Sequence, residues 1–143
     1  MFLGEYQHNV DDKGRLVMPS KFRHRLAEGI VITKGQERCL YVFPMDRWED
    51  EVTKVNKLPR TNRRARNYAR SFFGAASDQQ LDKQGRIAVP PALRTYAGLS
   101  KDVMVVGVAD RLEVWDVSAW SELSDEADDF YADIEDELSE EGI

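Results

Sequence analysis

Apolar positions along this chain fall in short alternating runs that stop at glycine, proline or aspartate, and the runs come in two sets. Residues 7–10 lead into Asp11-Asp12-Lys13-Gly14, and residues 15–18 lead out to Pro19. Further on, Gln80 and Leu81 lead into Asp82-Lys83-Gln84-Gly85, and residues 86–89 lead out to Pro90. Asp can bond its own backbone across a turn and Gly accepts the positive φ of a tight hairpin, so each set predicts strand, turn and returning strand. The proline after each returning strand suits the start of a short helix, over residues 21–26 with Ser20 as candidate cap and over residues 92–97. Strands are then expected at 30–33 with 39–43 and at 103–106 with 112–115, joined by hairpin connections at 34–38 and 107–111.

Helical spacing follows each set. Trp48, Val52, Val55 and Leu58 recur after Pro44, Pro59 ends that helix, and Thr61 is placed to cap a second one reaching about Phe72. Trp120, Leu123, Ala127, Phe130, Ile134 and Leu138 step by three or four along an acidic helix, and residues 140–143 are expected to fray. These stripes read as core packing.

The two sets are one pattern written twice, 71 residues apart, from Asp11 to Asp82. Asp11, Gly14, Arg15, Leu16, Val17, Met18, Pro19, Phe22 and Arg23 are answered by Asp82, Gly85, Arg86, Ile87, Ala88, Val89, Pro90, Leu93 and Arg94. After a one-residue slip, Val31, Gly35, Leu40, Val42, Phe43 and Trp48 match Val103, Gly107, Leu112, Val114, Trp115 and Trp120. A duplicated unit implies an internal pseudo-twofold in which each copy holds an arginine beside a glycine turn. That suits a binding device better than a catalyst. With 143 residues in all, each half is near the lower size limit for a core of its own, so the halves are expected to share one. The chain divides into a first repeat at 1–50, a basic helical connector at 51–72, a second repeat at 73–121 and an acidic helix and tail at 122–143, in an α+β fold.

Charge sharpens this picture. The net charge is −6, yet residues 112–143 hold 13 acidic side chains and no Lys or Arg, which leaves residues 1–111 at +7. Lys54, Lys57, Arg60, Arg63, Arg64, Arg66 and Arg70 lie in a stretch with no acid. A cationic body suits a polyanion, and a solvated helix face is the plainer alternative for that stretch. No apolar run is long enough to span a bilayer and no secretory pattern is present, so neither a membrane nor export is expected. One cysteine, Cys39, forms no internal disulfide, which favours a reducing cytoplasm, and it reads as a packed side chain. Two histidines and one cysteine make no usual zinc site. There is no phosphate loop, dinucleotide fingerprint or nucleophile with its base, so no cofactor, metal, small-molecule substrate or catalysis is expected.

The string Asp-x-x-Gly-Arg, three apolar positions, Pro, two residues, an apolar position and Arg, at Asp11–Arg23 and Asp82–Arg94, resembles the SpoVT/AbrB-type DNA-binding module. Its tandem arrangement resembles the MraZ transcriptional regulators, as do Phe2, Gly4 and His8 before the first motif and Phe73 before the second. The resemblance spans residues 1–120. It implies a swapped-hairpin β-barrel built from two interleaved repeats with peripheral helices. It also implies a ring-like homo-oligomer on double-stranded promoter DNA with direct repeats, in the cytoplasm at the nucleoid. There it would control the division and cell-wall gene cluster with its own operon. An oligomeric scaffold joining basic to acidic helices without DNA is the runner-up, and an antitoxin-like dimer suits a tandem chain less.

By this resemblance Arg15 and Arg86 are the first-choice DNA contacts, since a guanidinium fork can grip guanine or phosphate with two bonds. Pairing of Asp11 with Arg15 and of Asp82 with Arg86 would brace the turns, and both roles hold together if the tips stay free. Gly14 and Gly85 shape the turns. Lys13 sits in the first turn where the second has Gln84, an inequality expected either to weaken the second tip or to turn it toward something else. Lys21, Arg23 and Arg94 are candidate phosphate contacts, Arg23 and Arg94 being equally suited to close on a carboxylate.

Overall fold

Alternation along the strands sorts the side chains onto two faces of one sheet. The computed structural model describes residues 1–134, 138 and 142. Among them the chain forms strands β1 (Phe2–Asn9), β2 (Arg15–Val17), β3 (Ile30–Lys34) and β4 (Leu40–Pro44), then helices α1 (Met45–Asn56) and α2 (Arg63–Gly74). Strands β5 (Ser77–Gln79) and β6 (Arg86–Ala88) follow, then helix α3 (Pro91–Tyr96), strands β7 (Asp102–Ala109) and β8 (Arg111–Asp116), and helix α4 (Val117–Asp133). Six strands make an antiparallel sheet in the order β1-β7-β8-β4-β3-β5, and β2 with β6 makes a separate two-stranded ladder. The protein is therefore α+β, with two similar β-rich repeats and peripheral helices.

On the inner face, Ile30, Ile32, Leu40, Val42, Val103, Val105, Leu112 and Val114 pack in one cluster with Leu16, Met18, Phe22, Leu26, Ile87, Val89 and Leu93. Both repeats contribute, so the halves do share a core. On the outer face, Tyr41 and Phe43 meet α1 and α2 through Trp48, Val55 and Phe72, while Val106 and Trp115 meet α4 through Trp120 and Leu123. Trp48 stacks on Phe72 at 5.4 Å between ring centroids. The helical stripes are core packing for Trp48, Val55, Trp120 and Leu123, but Leu58 and Phe130 stay exposed.

The expected hairpins pair differently from their sequence order. β1 starts at Phe2 and runs along β7, leaving a single bridge, Val10 to Leu16, to its own returning strand. β2 pairs with β6 of the other repeat, with Leu16 opposite Ile87. A three-residue strand buries little alone; facing its counterpart, it places both apolar side chains in the common core. β5 lies upstream of Gln80 and Leu81 and pairs with β3. There the Gln79 side chain imitates a strand, accepting from the Ala88 N–H at 2.8 Å and donating to its carbonyl at 2.7 Å.

Smaller expectations also shift. Residues 21–26 form no regular helix; a 3-10 turn at Ser20–Phe22 stands there, with Pro19 at its cap and no side-chain cap bond. The second repeat has a proline, Pro91, at the start of α3, whose preset φ favours a true helix. Asn62, not Thr61, caps α2, accepting from the Ala65 N–H at 3.1 Å. The β7–β8 connection tightens to Asp110, with Ala109 at a φ of 62°. Residues 135–137 of the expected acidic helix and 140, 141 and 143 of the expected frayed end lie outside the described residues.

Cys39 is buried, and its thiol donates to the Gln36 carbonyl at 3.2 Å. Burial, with a smaller push from the Glu113 carboxylate, raises its pKa to about 12. Since the thiolate is the reactive form, the folded chain is expected to resist alkylation at pH 8 and to react fully once denatured. Mass spectrometry after a short iodoacetamide pulse checks this; rapid labelling of the native protein would contradict the packing role.

Candidate nucleic-acid interface

Each turn is organised by one carboxylate. Asp11 Oδ1 accepts from the backbone N–H groups of Lys13 at 2.9 Å and Arg15 at 2.8 Å, and Oδ2 accepts from Arg15 Nε at 2.8 Å. Asp82 repeats this with Gln84 N–H and Arg86 N–H at 2.9 Å each and Arg86 Nε at 2.7 Å. The Gly14 N–H donates to the Asp11 carbonyl and the Gly85 N–H to the Asp82 carbonyl, both at 2.9 Å. The glycines have φ values of 77° and 75°, a conformation that L side chains adopt only under strain.

These bonds, foremost the backbone N–H of Arg15 and of Arg86, hold both carboxyls below the ordinary aspartate value. A lowered folded pKa means the brace contributes fully above the unfolded value and is lost only as pH falls through the lower folded one. The turns are therefore intact across neutral and mildly acidic pH.

Only Nε of each arginine is engaged. The terminal nitrogens of Arg15 and Arg86 have no hydrogen-bond partner among the described residues, and the side chains are 35% and 23% exposed. Bracing and availability coexist. On the β2–β6 ladder Arg15 is opposite Ala88 and Arg86 is opposite Val17, flanking the Leu16–Ile87 pair that faces the core. Alternation therefore puts both arginines on the same outward face, their α-carbons about 8 Å apart on the diagonal by strand spacings.

Arg23 and Arg94 go elsewhere, and neither closes on a carboxylate among the described residues. Arg23 Nε donates to the Met18 carbonyl at 3.2 Å, and its side chain lies against Gly85 of the other repeat. Arg94 lies against Gly14 in the mirrored position, where a Cβ would come within 3.1 Å of its guanidinium carbon. Backbone bonds cross over too: Met18 N–H donates to the Gly85 carbonyl at 2.9 Å and Val89 N–H to the Gly14 carbonyl at 2.7 Å. Each repeat thus pins the other's turn.

The family model described as "MraZ protein, putative antitoxin-like" matches this chain twice, over residues 1–71 and 72–140. The chain belongs to the MraZ family. Proteins named transcriptional regulator MraZ are similar over almost their whole length. That of Kineococcus radiotolerans is 49% identical over 138 residues, 96% of each chain. That of Salinispora tropica is 50% identical over 135 residues, 94% of this chain and 95% of the relative. That of Alkaliphilus metalliredigens is 46% identical over 143 residues, all of both chains.

In this MraZ-family chain Lys13 and Lys21 are exposed, as is Lys83, which comparison by aligned position passed over. Matching Lys13 to Gln84 hid a cation one residue earlier, so the second tip carries Lys83 with Gln84 where the first has Asp12 with Lys13. The cations between 54 and 70 belong to α1, α2 and their connection, on the sheet face opposite the arginine ladder. His8, half-buried in β1, is held below the usual histidine pKa by burial and then by the charge of Arg23.

Gly85→Ala is expected to combine two penalties: positive φ, and a Cβ driven into the Arg23 side chain. Gly98→Ala isolates the first, since Gly98 has a φ of 59° with nothing within 4 Å of a built Cβ. Thermal melting should show a loss of about 1–2 kcal/mol for Gly98→Ala and a clearly larger one for Gly85→Ala. Equal losses would mean that Arg23 yields freely.

Proposed function

We propose that this chain is a sequence-specific DNA-binding transcriptional regulator that inserts the β2–β6 ribbon into the major groove. The observation that carries this is the outward pair Arg15 and Arg86, each oriented through Nε with its terminal nitrogens unpartnered among the described residues. The names of its relatives point the same way. A major groove admits a two-stranded ribbon, and an arginine fork matches guanine O6 and N7. Lys13, Lys83 and Lys21 supply phosphate contacts that position the ribbon. Arg23 and Arg94 act first as clamps on the turns, with phosphate contact as their second task. The sheet and ladder together form the swapped-hairpin barrel of the SpoVT/AbrB type.

One ribbon offers a small contact, so several protomers of a ring-like homo-oligomer act together on direct repeats upstream of the division and cell-wall genes, in the cytoplasm at the nucleoid. Linked sites can add a factor of about 10²–10⁴ through effective concentration. Fluorescence anisotropy with one operator repeat and with several should show tandem DNA bound at least about 100-fold more tightly. Affinity should fall steeply between 50 and 200 mM salt, by about 10³-fold or more if six phosphates are contacted. Equal affinity for one and several repeats would remove the avidity mechanism, and indifference to salt would remove the site.

The segregated charge favours the second reading, an assembly scaffold without nucleic acid. Gel mobility on promoter DNA, with oligomeric state measured in parallel, separates the two.

A further inference from the structure

We infer that α4 of one copy docks, by Phe130 and its neighbours, into the groove between α1 and α2 of a second copy of this chain. This deepens the oligomeric part of the proposed function and rests on it.

The stripe on α4 has two halves. Trp120 and Leu123 pack against the sheet, and Trp120 Nε1 donates to Glu5 at 2.8 Å. The same stripe continues at Ala127, Phe130 and Ile134, where Phe130 is 59% exposed and no residue of α4 is buried. Glu126, Asp129 and Asp133 border Phe130. A helix ordered by its first turns thus carries a bare aromatic ring in an acidic frame.

The groove has the opposite character. Pro59 breaks the helical run, and the splayed ends of α1 and α2 leave a cleft of about 550 Å³ floored by Val55, Leu58, Ala65 and Tyr68. Leu58 and Tyr68 remain 38% and 40% exposed. Lys54 and Arg64 stand at its edge with one acid, Glu51, which lies 3.4 Å from the Lys54 ammonium and leaves Arg64 the unpaired cation of the two among the described residues. Seven cations and no acid lie between residues 54 and 70, whereas α4 carries six acids and no cation. An aromatic side chain seated in an apolar cleft supplies area, while the charged rims select partner and register.

Two different patches joined in this way make a heterologous contact, which propagates head to tail and closes into a ring when the rotation allows. Both patches lie on the sheet face opposite the arginine ladder. Assembly would therefore leave every ribbon free for DNA.

Sedimentation velocity of the full chain tests the contact. Phe130→Asp and the pair Lys54→Glu with Arg64→Glu are each expected to weaken assembly at least tenfold while melting as the parent does, all three residues being on exposed or part-exposed surface. Reversing both rims in one chain, by adding Glu126→Lys and Asp129→Lys to the second variant, should restore assembly. Mixing Phe130→Asp with the groove variant should yield dimers and nothing larger, because each partner keeps one intact patch. Parent-like assembly by both single-patch variants, or no rescue by the double reversal, overturns the inference. So does a groove variant that loses single-repeat DNA binding but keeps its assembly, which would make the groove a nucleic-acid surface. Single-repeat DNA binding by Phe130→Asp reports on the DNA reading separately: its absence in the parent too would sink that reading, whatever the assembly result.

Discussion

A chain carrying Arg15→Ala and Arg86→Ala together is expected to fold and melt like the parent but to bind promoter DNA far more weakly. Each base-reading contact is worth about 1–3 kcal/mol, so the pair removes roughly 2–6 kcal/mol per protomer, a loss of about 30-fold to more than 10⁴-fold. Stability should hardly move. Each arginine makes one partly exposed ion pair, to Asp11 or to Asp82, and solvent-screened surface pairs contribute little to stability. The Leu16–Ile87 pair behind them stays in place. Anisotropy on tandem operator DNA, beside a thermal melt, measures both quantities. Arg15→Lys is the useful companion: it keeps the charge but loses the planar fork and the Nε bond to Asp11, so an intermediate loss is expected. A folded double variant with parental affinity would remove the ribbon as the reading element.

Leu16→Ala is expected to have the largest effect on stability. Leu16 is fully buried and Ile87, opposite it, is 2% exposed, so truncating either leaves a cavity in the one place both repeats fill. Losses of about 2–5 kcal/mol are typical for such sites, a large part of the stability of a small domain. Because the core is common, Leu16→Ala and Ile87→Ala should each lower a single cooperative unfolding transition. Their double variant should also depart from additivity by about 0.5–3 kcal/mol, as touching residues do. Urea unfolding followed by two probes checks this. Separate transitions for the two halves would refute the shared core.

Much of this was legible in the residues because the turns are local devices. Asp11, Gly14 and Arg15 close their loop with bonds that span at most four residues, and Asp82, Gly85 and Arg86 do the same. Spacing alone therefore revealed a braced arginine. Strand partners were not legible from pattern and spacing, since β2 and β6 have three residues each and carry no signal for choosing between a neighbour in sequence and a counterpart 71 residues away; only the family resemblance implied that the repeats interleave. Lys83 was hidden by a one-residue offset, and the fate of Leu58 and Phe130 by a stripe that looks the same whether it is covered or bare.

Sequence by itself determined the duplication, the turn chemistry, the segregation of charge and membership of the family, because each is written in residue type and short spacing. Tertiary structure decided that β2 crosses to β6, that Arg15 and Arg86 share one face, and that Arg23 and Arg94 each clamp the opposite repeat's glycine. It also put the cationic helices on the far side of the sheet from those arginines. The physical reason is burial: strands this short gain enough apolar contact only by meeting across a common core, and that meeting sets where every distant side chain points.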